Sequence, residues 1–152
     1  MSSLPPRILY SRAVIVDTGA FLAFANPRDE HHVDAVDCFN NAADDRLPLF
    51  ASLPTLYEAH RRILFDLGVE KAMGFLDSVS DGSINLIRTS CGDERNARLL
   101  LDHYRYMSLT LTDAVNMAVM TRLGVAVCFT FDNHFLRTGF IRIPPYHLSK
   151  DG

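Results

Sequence analysis

The chain has 152 residues, of which 48% are hydrophobic and 22% charged, with a formal net charge of −3. That suits one soluble domain with a core of its own, and no apolar run approaches the roughly 18 residues of a membrane span. No apolar stretch between Arg7 and Arg12 marks a signal peptide, and three cysteines without C-x-x-C spacing argue against a disulfide framework or a zinc site, so a reducing, cytoplasmic setting is expected.

The charge is distributed more tellingly than its total suggests. Of the 15 basic residues only Lys71 and Lys150 are lysine; the others are arginine, which makes planar, bidentate contacts to phosphate or carboxylate. If four acids are committed to a metal, the remaining acids and bases nearly balance. A phosphate-bearing substrate is compatible with that surface but is not implied by it.

In chain order, residues 1–12, with Pro5-Pro6, read as an extended arm ahead of a domain spanning 13–148. Val14, Ile15 and Val16 are uninterrupted and β-branched, as in a strand buried on both faces of a parallel sheet. They run into Asp17, and 18–25 is a short apolar helix ended by Asn26-Pro27. A second helix is expected over about 29–43, a strand over 47–51, and a helix capped by Ser52 or Thr55 that runs to Leu67 and stops at Gly68. The pattern then predicts a helix over 69–79, a turn at Asp81-Gly82, a strand over 84–88 and helices over 94–104 and 110–123. Strands over 125–131 and 139–143 follow. This alternation implies an α/β fold, a mostly parallel sheet with helices on both faces.

Four acids fall at comparable places in that scheme. Asp17 and Asp132 end the two most apolar strands, and Glu58 and Asp113 sit in the first turns of helices. Strand ends and the starts of the following helices share one edge of a parallel sheet, so all four have a route to one pocket. Carboxylates gathered there repel unless a cation neutralises them, and an oxygen-only set suits Mg²⁺ or Mn²⁺. Each acid also has an ordinary reading. Asp113 suits a helix cap, Glu58 a surface pair with Arg62, and Asp132-Asn133 a turn. His31 and His32 are adjacent and face different ways on a helix, so they do not make a metal pair. Phe135 reads as core and His134 as its satisfied polar neighbour, with substrate contact as the lesser alternative.

Four segments, in order, resemble the motifs of PIN domains: Val16-Asp17-Thr18-Gly19-Ala20-Phe21-Leu22-Ala23, Leu53-Pro54-Thr55-Leu56-Tyr57-Glu58, Leu111-Thr112-Asp113-Ala114, and Phe129-Thr130-Phe131-Asp132-Asn133-His134-Phe135, with Gly139-Phe140 after them. The resemblance covers about 13–143. It implies a Rossmann-like α/β/α sandwich and a Mg²⁺- or Mn²⁺-dependent ribonuclease similar to VapC-type toxins. Asp17, Glu58, Asp113 and Asp132 would form its acidic quartet, with Thr18 and Thr130 as supporting hydroxyls. Asp17 would be the central ligand, with Arg61 or Arg62 gripping a neighbouring RNA phosphate, and the products a 5′-phosphate and a 3′-hydroxyl. A homodimer and a cognate antitoxin are the partners the resemblance implies. The twelve-residue arm and the basic His60-Arg61-Arg62 run depart from the usual pattern.

Two other readings compete. Asp17-Thr18-Gly19 spells the D-T-G triplet of aspartic proteases, but that fold is almost all-β and pairs two such residues, whereas Leu56 to Leu67 has helical periodicity. The second is a non-catalytic module that keeps the PIN-like fold for binding.

Overall fold

The structure, a computed structural model, describes residues 12–145. The run Val14–Val16 forms β1, with every side chain buried. It is followed by α1 (Thr18–Ala25), α2 (His32–Asp44), β2 (Leu49–Ser52), α3 (Leu53–Leu67), α4 (Val69–Ser78) and β3 (Asn85–Ile87). The second half comprises α5 (Cys91–His103), α6 (Leu111–Leu123), β4 (Val127–Phe129), a short α7 (His134–Arg137) and β5 (Ile141–Ile143). The expected arm lies outside the described residues except for Arg12, whose guanidinium donates to the Asp45 carbonyl at 2.9 Å. Residues 146–148 of the expected domain also lie outside them.

The strands form one parallel sheet in the order β3-β2-β1-β4-β5. β1 is central, with Val14 opposite both Leu49 and Val127 and Val16 opposite Phe129. The chain winds outward from β1 through β2 to β3, then crosses back to place β4 and β5 on the other side. The direction of winding therefore reverses beside β1, and the crevice at the carboxyl ends of β1 and β4 is where such sheets hold ligands.

Alternation along β1 separates two cores. Val14 and Val16 pack with Phe21, Ala35, Cys38, Ala59, Ile63 and Phe75, so α1 to α4 cover one face. Ile15 packs with Met117, Met120, Cys128 and Phe135, placing α6 and α7 on the other. α6 is buried from Asp113 to Met120 without a break because it lies between the sheet and α5, packing on Ala97 through Ala114, Val115 and Val119. The α/β/α sandwich is thus present, and the D-T-G triplet is a strand-to-helix turn, which removes the protease reading. Among the described residues no helix is long and apolar enough to cross a membrane.

Several element ends differ from expectation for local reasons. α5 begins at Cys91 and not near 94, because Ser90 and Asp93 form a reciprocal capping box: the Asp93 N–H donates to Ser90 Oγ and the Ser90 N–H to Asp93 Oδ2. α2 begins at His32 because Asn26 and Asp29 use their side chains to close turns, accepting from the Arg28 and His31 N–H groups. β4 stops at Phe129, so Asp132 does not end a strand as expected but lies three residues beyond it.

The capping box also holds the principal ion pair between α5 and α6. Asp93 is 1% exposed and receives both Arg122 Nε and Nη2 at 2.8 Å, which together with the cap holds its carboxyl below the usual carboxylate range. Arg122→Met leaves that buried charge without its guanidinium. Because Arg122 is itself partly exposed, a loss of about 2 kcal/mol is expected, between the exposed and fully buried cases. Urea unfolding with an unchanged m value checks it.

Candidate metal centre

Asp17 follows β1 directly, and its N–H donates to the Phe129 carbonyl at 2.9 Å, prolonging the β1–β4 pairing by one residue. It occupies the N-cap position of α1, yet its side chain makes no cap bond. Oδ2 turns toward β4 instead and accepts from Thr130 Oγ1 at 2.9 Å. Burial first, and then the charge of Asp113, push the Asp17 carboxyl up to about 7. The Thr130 hydroxyl and the Thr18 backbone act the other way, and Asp132 adds to the rise.

Thr130 also stops the strand. Its N–H still pairs with the Ile143 carbonyl at 3.0 Å, but its hydroxyl accepts from the Asp132 N–H at 3.0 Å and pulls the chain out of the ladder. Asp132 Oδ1 in turn accepts from the His134 N–H at 2.8 Å, closing a turn that starts α7. Arg142 braces this loop by donating Nε to the Thr130 carbonyl and Nη1 to Asn133 Oδ1. The turn chemistry read from Asp132-Asn133 is therefore real, and it leaves Asp132 Oδ2 facing inward.

Asp113 combines its two readings in the same way. It is the third residue of α6 and completes a capping box with Thr110, with bonds of 3.1 Å in both directions. It is 8% exposed. Burial raises its carboxyl above the ordinary range against the pull of the Thr110 bonds; Asp132 raises it further and His134 lowers it. The thiol of Cys128, buried beneath, is pushed well above its ordinary value by burial and then by Asp17, Asp113 and Asp132. One buried group is thus raised by the charges of three of the four expected acids.

His134 is not the satisfied neighbour expected of it. Its Nδ1 lies 3.0 Å from Asp132 Oδ2 and 3.7 Å from Asp113 Oδ2. The nearer contact is out of line for a hydrogen bond, and Nδ1 is buried without a hydrogen-bonding partner. Among the described residues, Asp113, Asp132 and His134 form the group whose ligand atoms lie within 4.8 Å of one another. The sequence signal was the D-x-H spacing after an apolar strand, which is short enough for one turn to aim both side chains together.

The remaining site residues are placed less tightly. Glu58 is half-buried on α3, outside that group. Its helix is fixed to α6 by a buried polar cluster: Ser52 Oγ donates to Asn116 Oδ1 at 2.6 Å, and Asn116 Nδ2 donates to Thr55 Oγ1 at 2.9 Å. Ser52 is the cap of α3, and Asn116 lies one turn beyond Asp113. Thr18 Oγ1 is buried without a hydrogen-bonding partner. Arg62 pairs with Asp66 at 3.9 Å and not with Glu58, and Arg61 lies over the Phe65 ring, 5.5 Å from its centroid. Both arginines are exposed.

The donor set fits a hard divalent cation: Asp113 and Asp132 offer oxygens beside a buried nitrogen that lacks a hydrogen bond, and Asp17, outside that group, is near enough for the charge of Asp113 to raise its carboxyl.

The family model described as PIN domain matches residues 14–141. Ribonuclease VapC26 of Mycobacterium tuberculosis is 23% identical over 123 residues, 80% of this chain and 89% of that protein. Among solved structures, the sarcin–ricin loop cleaving toxin VapC20 of M. tuberculosis superposes with a TM-score of 0.75 at 21% identity, covering 84% of this chain and 96% of that one. VapBC2 from Rickettsia felis, bound to a DNA fragment from its promoter, gives 0.66 at 14% identity, with 86% and 96% covered. With the matched segment taking in every acid at the crevice, the chain belongs to the PIN domain family.

Proposed function

We propose that this protein is a divalent-metal-dependent endoribonuclease in which Asp17, Asp113 and Asp132 hold Mg²⁺ or Mn²⁺ and Glu58 completes the quartet. The observation that carries this reading is the cluster of Asp113, Asp132 and His134 at the crevice, with Asp17 near enough for the charge of Asp113 to help raise its carboxyl. The bound cation supplies an activated water and charge stabilisation at phosphorus. Thr130 fixes the rotamer of Asp17 through its hydroxyl, and Thr110 fixes Asp113 through the capping box. Glu58, held through α3, positions a water from the open side. Arg61 and Arg62, exposed one turn beyond Glu58, reach an adjacent phosphate. Water attack at phosphorus with departure of the 3′ oxygen leaves a 5′-phosphate and a 3′-hydroxyl.

The named ribonuclease relative supports RNA as the substrate, and the likeness to solved toxin–antitoxin complexes supports an antitoxin partner. Asp17→Asn and Asp113→Asn are each expected to lower Mn²⁺- or Mg²⁺-dependent RNA cleavage by about 10²-fold or more, with an unchanged circular dichroism spectrum. Wild-type protein that neither cuts transfer, ribosomal or messenger RNA with any divalent ion nor binds one by calorimetry would sink the proposal.

Asp17 also sets a pH dependence. Its carboxyl ionises near the ordinary 3.8 in the unfolded chain and at about 7 in the folded, metal-free protein. Below both values it is neutral in either state. As pH rises past 3.8 the unfolded chain loses the proton first, so native stability falls until about pH 7 and stays low above it. Chelator-treated Asp17→Asn is therefore expected to melt several degrees above chelator-treated wild type at pH 8, the gap closing toward pH 4. Each kcal/mol corresponds to about 2–4 °C for a chain this size. Thermal melts across that range check it, and a gap independent of pH refutes it.

A further inference from the structure

The acidic quartet leaves one group at the crevice without a role. His134 opens α7, and its backbone N–H is bonded to Asp132 Oδ1, which holds its ring on the same side as Asp132 Oδ2. A buried ring nitrogen without a hydrogen bond is uncommon and calls for another use of its lone pair. The neighbours of Nδ1 are two carboxylate oxygens, at 3.0 and 3.7 Å, which have lone pairs of their own. Around an octahedral ion with bonds of about 2.1 Å, adjacent donors stand roughly 3 Å apart and opposite ones roughly 4 Å. The two distances from Nδ1, 3.0 and 3.7 Å, fall in that range, and all three donor atoms lie within 4.8 Å of one another.

We propose that His134 Nδ1 is a metal ligand together with Asp113 and Asp132, and that this nitrogen makes the centre prefer Mn²⁺ to Mg²⁺. The inference rests on the reading of this crevice as a metal centre. Imidazole is a poor donor to Mg²⁺, which favours carboxylate, carbonyl and water oxygen, whereas it binds first-row transition ions with affinity rising from Mn²⁺ onward. Two carboxylates with one imidazole retain enough oxygen for Mn²⁺ and add the donor that Mg²⁺ uses least. With Nδ1 on the metal, the ring proton would sit on Nε2 of a side chain that is 24% exposed. The competing arrangement is an imidazolium that neutralises Asp113 and Asp132 itself and so opposes metal binding.

The test uses the full-length, chelator-treated protein, with Mn²⁺ as the direct probe and Mg²⁺ as its competitor. Binding is followed by loss of the free-ion electron paramagnetic resonance signal, and directly bound nitrogen by pulsed measurement of its coupling to Mn²⁺. Wild type is expected to show imidazole nitrogen coupling, altered by ¹⁵N-histidine labelling. His134→Ala and His134→Gln are expected to lose it, with Mn²⁺ affinity lower by about 10-fold or more and Mg²⁺ affinity changed by less than about 3-fold. The wild-type spectrum needs no variant to fold. Mn²⁺ bound without nitrogen coupling, or held as tightly or more tightly by the variants, overturns the inference and leaves the carboxylate centre standing. Wild type that binds neither ion overturns both.

Discussion

The hydroxyl of Thr130 joins what would otherwise be separate parts of the crevice. It donates to Asp17 Oδ2 at the end of β1 and accepts from the N–H of Asp132 beyond β4. One proton and one lone pair thus orient the first acid, end the strand, and start the turn that brings in the third. The adjacent backbone contributes as well, since the Asp17 N–H is bonded to Phe129 and the Thr130 N–H to Ile143. The rotamer of Asp17 is set by the register of three neighbouring strands together with this hydroxyl.

The acids reach the crevice by means that would be ordinary anywhere else in a protein. Asp113 is a helix cap, Asp132 closes a turn, and Asp17 stands where a cap would be but does not serve as one. At Asp113 the cap bonds occupy part of the carboxylate and lower its cost of ionisation, while burial and the neighbouring charge of Asp132 raise it. The result is a set of charges held in place by local structure and repelling one another, which is the condition a cation relieves. Structural and functional readings of these residues are not alternatives here, because the cap and the turn are what aim the free oxygens.

Much of this was legible in the sequence. The β-branched run before Asp17 marked the central strand, and Gly68 and Gly124 marked helix ends at Leu67 and Leu123. The features that escaped depend on side chains acting on the backbone. Ser90 and Asp93 started α5 a turn early, across a Cys-Gly pair that reads as loop. Thr130 ended β4 inside an apolar run that periodicity extends to Phe131. The D-x-H spacing hinted at His134, but its place beside Asp113 depends on the turn at Asp132 and on a helix more than ten residues earlier in the chain. Arg62 was placed on a surface pair correctly in kind, but its partner is Asp66.

The cluster of Ser52, Thr55 and Asn116 joins helices that cover opposite faces of the sheet. The body of the sandwich is filled by apolar volume, which many combinations of residues supply about equally well. The edge that carries the acids is fixed by directional bonds, each needing a particular partner at a particular distance. Substitutions can therefore accumulate in the body with little effect on the crevice. A chain only 21% identical to another can keep the same frame, as the superposition shows. In such a protein drift and precision occupy different layers, and the boundary between them runs along the carboxyl ends of the strands.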